Sequence, residues 1–393
     1  MTALPINAST EKKARVSNRG LWLISPFYDL TFIIFSSVLL VLPHFASLLA
    51  TQFSTSNATS NFQGVFTPNV IVDLLVTAFI GGPHLFATYT MTFMEPNFRK
   101  RYGKYTWGSL LMPVLVVTLA IINLTLLITI FFFWASVHVI HQAAYIADSY
   151  RNKDPRTSAP QLKRAQVISR VIDYALLLTS LYPIATYRFT GTPFVINGHN
   201  YAGTFETGGR ALLFPDFLKV DWLGPLALGV YILCLLAFIA KTIWEARVGL
   251  FHGPKTLHMG LASVLFFLTP LLANLDVAFQ GLNVWHSFQY LAVVLFLNRV
   301  RSERGLIGSE FVAKISSNGR SLYWLCFLFT LGAGLAYVVM RLVLILTGSW
   351  ANDPIQQHYF SFYSVILSAL LIHYYFDHFL FLQVDDVITP KWT

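Results

Sequence analysis

Long apolar runs dominate this chain and alternate with short polar segments. The runs predict helices at about 28–50, 69–94, 107–127, 129–149, 166–187, 222–243, 257–275, 280–299, 321–347 and 358–382. Most of them approach the roughly 20 apolar residues that a transmembrane helix needs. The third and fourth runs are joined, and we predict the break between them near Leu127. The pattern predicts an all-α fold, a polytopic transmembrane bundle of about ten helices.

Basic residues between the apolar runs predict the orientation of the bundle. Lysine and arginine concentrate before the first predicted helix and in the loops that follow each even-numbered one. Because cytoplasmic loops carry this excess, both termini are expected in the cytoplasm. The predicted organisation is a cytoplasmic N-terminal segment (1–27), a transmembrane helical domain (28–382) and a cytoplasmic tail (383–393). The expected location is a bacterial inner membrane, which the chain crosses many times.

Composition supports the same class. The chain is 55% hydrophobic and only 11% charged, whereas soluble domains carry about 25% charged residues. A soluble enzyme is therefore excluded. The net charge of +9 follows from the one-sided basic loops, so the expected partner is the lipid bilayer and no nucleic-acid partner is predicted.

Five histidines fall inside predicted helices, and we expect them to lie at one depth: His84, His138, His141, His286 and His373. The helices that carry them are all predicted to run towards the cytoplasm. Counted to the cytoplasmic end of each helix at 1.5 Å per residue, the five lie about 15–22 Å from that face. Ionisable residues inside a bilayer are costly and mark functional sites.

A histidine cluster at one depth predicts a metal site. Imidazole suits iron, copper, zinc and nickel, and a histidine-rich site with few carboxylates in a lipid-facing bundle indicates non-haem Fe²⁺ and oxygen chemistry. No catalytic residue beyond the ligands is predicted. The residues expected to support the ligands by hydrogen bonds are Asp377, Gln142, Gln289 and His378. Asp377 shares a helix face with His373, whereas His378 lies about 140° away.

Two short segments resemble a known family. Gly81-Gly82-Pro83-His84, and Thr269-Pro270 followed by Asn283-Val284-Trp285-His286-Ser287, are similar to segments of the Brp/Blh family of integral-membrane β-carotene dioxygenases. The resemblance implies a multi-helix bundle in which His84 and His286 bind iron and β-carotene is cleaved to retinal. Thr88-Tyr89 stand where the family has an Asp-His pair.

These observations favour a membrane-embedded iron oxygenase that acts with dioxygen on a long apolar small molecule, a carotenoid among the candidates. A proton-coupled transporter with an intramembrane histidine relay is an alternative, and it would show broken helices in repeated halves. A protein that binds haem b through two axial histidines is another. Metal content and an optical spectrum distinguish the three.

Overall fold

The computed structural model describes residues 21–56, 68–154, 156, 163–196, 198–200, 206–207, 210–272, 275–348 and 353–381. Seven described segments are long and apolar enough to cross a membrane. The predicted all-α membrane bundle is therefore confirmed, and the chain is a multi-pass integral membrane protein. The proposed cytoplasmic segments 1–27 and 383–393 lie outside the described residues, apart from 21–27.

Twelve helices and two short hairpins form the described chain. The helices are α1 (26–56), α2 (68–91), α3 (Pro96–Gly108), α4 (Leu111–Lys153), α5 (Lys163–Ser180), α6 (Tyr182–Thr190), α7 (Leu223–Arg247), α8 (Gly253–Leu268), α9 (Leu275–Glu303), α10 (Glu310–Ser316), α11 (Gly319–Leu346) and α12 (Pro354–Phe381). Between α6 and α7, β1 (Val195–Ile196) pairs antiparallel with β2 (His199–Asn200), and β3 (Glu206–Thr207) with β4 (Arg210–Ala211). These hairpins lie in the longest gap between two predicted helices, 187–222.

The ten predicted helices correspond to seven candidate spans, because two of them share one span and two others do not qualify. The third and fourth lie within one long apolar segment, Pro96–Lys153. Helix α8 has only 16 residues, which is short for a bilayer core of about 30 Å. Helix α9 has 29 residues, but it carries many buried polar side chains, which lower its hydropathy.

The long helix α4 is broken at Asn123, four residues before the predicted position near Leu127. Asn123 has non-helical angles (φ −158°, ψ 89°), and its Oδ1 accepts a hydrogen bond from Leu126 N at 2.9 Å. Asn123 is thus the N-cap of the second half of α4, because asparagine satisfies the free N–H groups of a new first turn. The hydropathy pattern does not locate this break, because one polar residue changes the mean hydropathy of a long apolar run little.

Ring contacts show that the chain passes along α12 twice around this break. Tyr105 packs against Phe379 near the C-terminal end of α12, and Phe131 then packs against Tyr363 near its N-terminal end. Tyr145 returns to Phe381. The segment Pro96–Lys153 therefore runs along the length of α12 twice, as expected for the third and fourth predicted helices.

Burial separates inner helices from lipid-facing ones. In α12, 61% of the most apolar stretch is buried inside the protein, against 17% in α7 and 11% in α11. Exposed apolar side chains on α7 and α11 suit contact with lipid tails. Helix α12 is therefore central, and polar side chains on it must find partners within the protein.

One face of the bundle gathers the ends of several basic segments. Lys153 Nζ donates to Leu23 O at 2.7 Å. Arg156 Nη1 donates to Gly249 O at 3.0 Å, across to the loop after α7. The start of α1 and the ends of α4 and α7 therefore meet on one side, which agrees with the predicted basic face.

A close approach of α1 and α9 gives a stability prediction at Gly281. A Cβ atom at Gly281 would lie 2.4 Å from the backbone oxygen of Leu40. We expect Gly281→Ala to destabilise the protein by about 1–3 kcal/mol, because backbone cannot move aside as a flexible side chain can. The control is Gly332→Ala on α11, where a Cβ meets nothing within 4 Å. Thermal unfolding in detergent measures both, and equal melting temperatures would contradict the packing argument.

Candidate metal centre

Four histidines from four helices meet in the interior of the bundle. His84 on α2, His138 on α4, His286 on α9 and His373 on α12 are each at most 5% exposed. The ring centroids of His84 and His373 are 4.6 Å apart, and His138 lies 4.9 Å from His286. The structure thus brings together four of the five predicted ligands.

A change of helix type precedes His84. Residues Thr77–Gly81 form a π-helical turn, a feature that often occurs at functional sites. Pro83 follows it and has no N–H, so the carbonyl of Phe79 loses its ordinary helical partner. Tyr323 of α11 donates to that carbonyl at 2.8 Å. This contact secures the segment that carries His84.

The candidate ligand atoms fall into two groups that share His373, and within each group they lie close enough to hold an ion. His84 Nε2 and His373 Nε2 are 3.1 Å apart. Asp377 Oδ2 is 3.3 Å from His373 Nε2 and 3.5 Å from His138 Nε2. Two ligands about 2.1 Å from one ion, at angles of 90–110°, lie about 3.0–3.4 Å apart. His286 joins His84 and His373 in a group whose ligand atoms are all within 4.8 Å of one another.

Hydrogen bonds around His84 place its proton on Nδ1, the ring nitrogen that faces away from the other histidines. His84 Nδ1 is 2.5 Å from Gly81 O. A backbone carbonyl can only accept, so Nδ1 carries the hydrogen. In the neutral ring, Nε2 is therefore a bare acceptor that faces the other ligands, which is the arrangement of a metal-binding histidine.

Hydrogen bonds also place the proton of His373 on Nδ1. Tyr290 Oη donates to Asp377 Oδ1 at 2.5 Å. Thr88 Oγ1 lies 2.6 Å from Tyr290 Oη and 3.3 Å from Asp377 Oδ1, so it donates to one of them. It then accepts from His373 Nδ1 at 2.5 Å. His373 Nε2 is thus also a bare acceptor, directed at the bare nitrogen of His84.

Several buried polar atoms of this cluster have no hydrogen-bond partner among the described residues. They are His138 Nε2, both ring nitrogens of His286, and Asp377 Oδ2. Buried polar atoms are nearly always hydrogen-bonded, and lone pairs that face one another repel. A cation could be bound by the bare nitrogen of each imidazole together with Asp377 Oδ2, so the set of side chains fits a metal ion.

Aromatic packing holds the cluster in place. The ring of Tyr374 stacks on His138, with centroids 3.9 Å apart and planes 26° from parallel. Tyr290 lies edge-on to His373 at 5.0 Å. Such packing fixes the ring orientations before any ion binds.

His141 and His378 are not part of the cluster. His141 is one turn below His138 and rotated from it, and its ring packs on Phe381 instead. His378 is exposed, because it lies about 140° from His373 around α12. The predicted ligand role of His141 and supporting role of His378 are therefore not reproduced.

The two glutamines hold backbone rather than imidazole rings. Gln142 Nε2 donates to the carbonyl of His286 at 3.1 Å and to Gln289 Oε1 at 3.2 Å. Gln289 donates to Ile33 O. The prediction that they accept from ligand N–H groups is wrong, since their amides tie α4, α9 and α1 together. Asp377 lies beside the histidines, but as a candidate ligand rather than as an acceptor for an imidazole N–H, because its hydrogen bonds come from Tyr290 and Thr88.

Sequence reasoning missed Thr88 and Tyr290, which contact the cluster directly. Thr88 follows His84 by four residues, and Tyr290 follows His286 by four. Asp377 follows His373 by the same interval. Residues four apart share a helix face, so a search for polar residues at this spacing would have found all three.

A cleft reaches the cluster from the N-terminal end of α12. It has a volume of about 600 Å³, including its open mouth. Its lining includes His84, Phe131, Phe279, Tyr363 and Tyr374. The cluster is therefore buried but lies beside a route to the outside of the bundle.

The segments 81–84 and 283–287 supply half of this centre. The first contains His84 and the carbonyl that fixes its proton, and the second contains His286 and Ser287. His138 and His373 come from other helices. The whole chain matches no protein-family model, no curated protein and no solved structure.

Proposed function

We propose that the protein is a membrane-embedded non-haem iron enzyme that uses dioxygen to oxidise a long apolar substrate. The observation that carries the proposal is the convergence of four imidazoles and one carboxylate with their lone pairs facing one another. Iron bound there would supply activation of dioxygen. Asp377 would contribute a negative charge, which neutral imidazoles cannot provide.

The geometry favours an ion over haem. Two axial histidines lie on opposite faces of a haem, which requires room for the whole macrocycle between their nitrogens. The 3.1 Å between His84 Nε2 and His373 Nε2 leaves no such room. Haem b is therefore the weaker alternative.

The transporter alternative lacks paired helix breaks. Such folds place interrupted helices in corresponding positions of two repeats. In the described chain, the π-helical turns of α1 and α2 and the non-helical residues of α3 and α4 all lie in the first half, whereas α9, α11 and α12 carry no internal break. The fourfold histidine cluster therefore fits a bound ion better than a moving relay.

An apolar pocket beside the cleft supports a lipid-like substrate. It has a volume of about 640 Å³, including its open mouth, and its mostly apolar lining includes Phe132, Phe133 and Leu282. Phe279 lines both this pocket and the cleft that reaches His84. A long apolar molecule that enters from the membrane would thus find a path towards the cluster.

A carotenoid is the specific substrate that we propose, on the resemblance of the two histidine segments. Oxygen-dependent cleavage of one carbon–carbon double bond gives two carbonyl groups. Each product receives one atom of the same dioxygen molecule, so no external reductant is required. We further propose a bacterial inner membrane with cytoplasmic termini, because most basic residues fall on one predicted side.

The direct test is metal analysis of protein purified in mild detergent, followed by an oxygen-dependent assay with β-carotene. We expect about one iron per chain, as a single cluster of this size would hold, and no Soret band. Loss of carotenoid absorbance with appearance of an aldehyde product should require both iron and oxygen. A phospholipid with unsaturated chains tests the other apolar class.

Two results would overturn the proposal. Folded protein that binds no iron after anaerobic incubation with Fe²⁺ would remove its basis. A stoichiometric haem spectrum would favour the haem protein instead. Iron binding without carotenoid turnover would retain the metal site and reject the substrate.

A further inference from the structure

A buried carboxylate lies on the same helix as His84, towards the N-terminal end of that helix. Asp73 on α2 is 4% exposed and precedes His84 by eleven residues, which is about 16 Å along a helix. Gln280 of α9 donates to Asp73 Oδ1 from Nε2 at 2.8 Å. Nothing in the cluster described above uses this carboxylate.

A continuous chain of hydrogen bonds joins Asp73 to His84. Asn283 Nδ2 donates to Gln280 Oε1 at 3.1 Å, and Ser287 Oγ donates to Asn283 Oδ1 at 3.1 Å. Ser287 Oγ is in turn 2.8 Å from His84 Nδ1. Gln280, Asn283 and Ser287 are spaced three and four residues apart, so one face of α9 presents all three.

The direction of every bond in this chain follows from the contact at Asp73. Asp73 Oδ1 accepts from the NH₂ group of Gln280, so Gln280 turns its oxygen towards Asn283. Asn283 must then turn its oxygen towards Ser287, and the Ser287 hydroxyl donates to it. Ser287 Oγ is left as an acceptor for the N–H of His84.

We propose that Asp73 is a positioning residue that strengthens metal binding by His84 through Gln280, Asn283 and Ser287. The chain holds the proton of His84 on Nδ1, which leaves Nε2 bare for the ion and makes the ring a better ligand. Amides do not relay protons readily, so the chain sets the orientation and basicity of the ligand. The inference rests on the proposed metal site.

The packing leaves space for this chain. A Cβ atom at Gly81 would lie 3.0 Å from Asn283 Nδ2, so glycine at this position lets the amide pass. Gly81 also supplies the carbonyl that shares the His84 proton. The same residue therefore serves both contacts that fix the ring.

Cobalt titration of the purified full-length protein tests the inference, because Co²⁺ bound by histidine absorbs visible light. Asp73→Leu removes the terminal acceptor, and Asn283→Leu breaks the chain while it keeps the carboxylate. We expect each to weaken Co²⁺ binding about tenfold, the lower end of the 10–100-fold range for partners of metal ligands. Asp73→Glu should restore most of the loss.

The matched control is Asp276→Leu, which removes the other carboxylate that lines the same cleft but leaves the chain intact. It should bind Co²⁺ as wild type does. Melting temperatures without metal verify that each variant is folded.

The outcomes separate this inference from the metal site. Wild-type protein that binds no Co²⁺ would reject both. Wild-type affinity in Asp73→Leu or Asn283→Leu would reject the chain alone. Equal losses in Asp73→Leu and Asp276→Leu would also reject it, since the general charge of the cleft would then be responsible.

Discussion

Replacing His373 with alanine is expected to strip the metal from the purified protein. His373 Nε2 is 3.1 Å from His84 Nε2 and 3.3 Å from Asp377 Oδ2, and it belongs to both candidate ligand groups. Loss of a supporting partner already costs about 10–100-fold in metal affinity, so loss of this ligand should cost at least about 100-fold. Elemental analysis and Co²⁺ absorbance measure the effect, and oxygen-dependent turnover should be lost with the metal.

The chain offers a close control five residues further along α12. His378→Ala makes the same chemical change on the same helix, but at an exposed position. Metal content should stay at the wild-type value in this variant. Metal retained at full affinity in His373→Ala would reject the assigned centre.

His141→Ala adds a second comparison. The ring of His141 packs on Phe381 outside both ligand groups, so this variant should also keep its metal. Loss of metal in His141→Ala would favour the five-histidine site predicted from depth alone over the four-histidine geometry.

The largest loss of stability is expected from Asp173→Ala. Asp173 on α5 is fully buried, and three cations from three other helices converge on it. Arg151 of α4 donates to Oδ2 at 2.7 Å, Lys255 of α8 lies 3.3 Å from the same oxygen, and Lys241 of α7 donates to Oδ1. The carboxylate thus joins four helices on the basic side of the bundle.

Removing Asp173 would leave buried positive charge without its main counter-ion. Breaking a buried ion pair by deleting one partner costs about 3–5 kcal/mol, because the remaining charge stays desolvated. Glu245 pairs with Lys255 at 3.8 Å and with Lys241 at 3.9 Å, and Arg151 also pairs with Asp148, so these acids offset only part of the loss. We therefore expect a large fall in melting temperature for Asp173→Ala in detergent.

Asp216→Ala is the matched control for this prediction. Asp216 pairs with Lys219 at 2.8 Å, and this neighbouring charge lowers the pKa of the exposed Asp216 carboxyl below its usual value. Exposed pairs contribute little to stability because water solvates each charge separately. The Asp216 variant should melt with the wild type, and similar melting of the Asp173 variant would contradict the role of the buried network.

Part of the site could be predicted from spacing within single helices. Asp377 lies four residues after His373, so both share a face whatever α12 packs against. The common depth of His84, His138, His286 and His373 likewise follows from their distances to the helix ends. Thr88 and Tyr290 obey the same four-residue rule, so spacing along single helices also predicts these neutral polar residues.

Other features depend on how each helix is rotated about its own axis. His138 and His141 differ by about 60° on one helix, and their sequence does not say which of them faces α12. His138 stacks on Tyr374 and lies 4.9 Å from the ring of His286, whereas the ring of His141 packs on Phe381 outside both ligand groups. Hydrogen bonds from Gln142 and Gln289 to backbone carbonyls of α9 and α1 depend on the same rotations.

The sequence by itself determined that this is a multi-pass helical membrane protein with several histidines at a similar depth within its helices. Long runs of apolar residues are stable only in lipid or in a protein core. A run of about 20 such residues matches the thickness of the hydrocarbon core of a bilayer. Tertiary structure alone decided which lone pairs converge, that Asn123 breaks α4, and that Asp73 connects to His84 through α9. The physical reason is that helix periodicity fixes angles within one helix, while the angles and register between helices are set by side-chain packing across them.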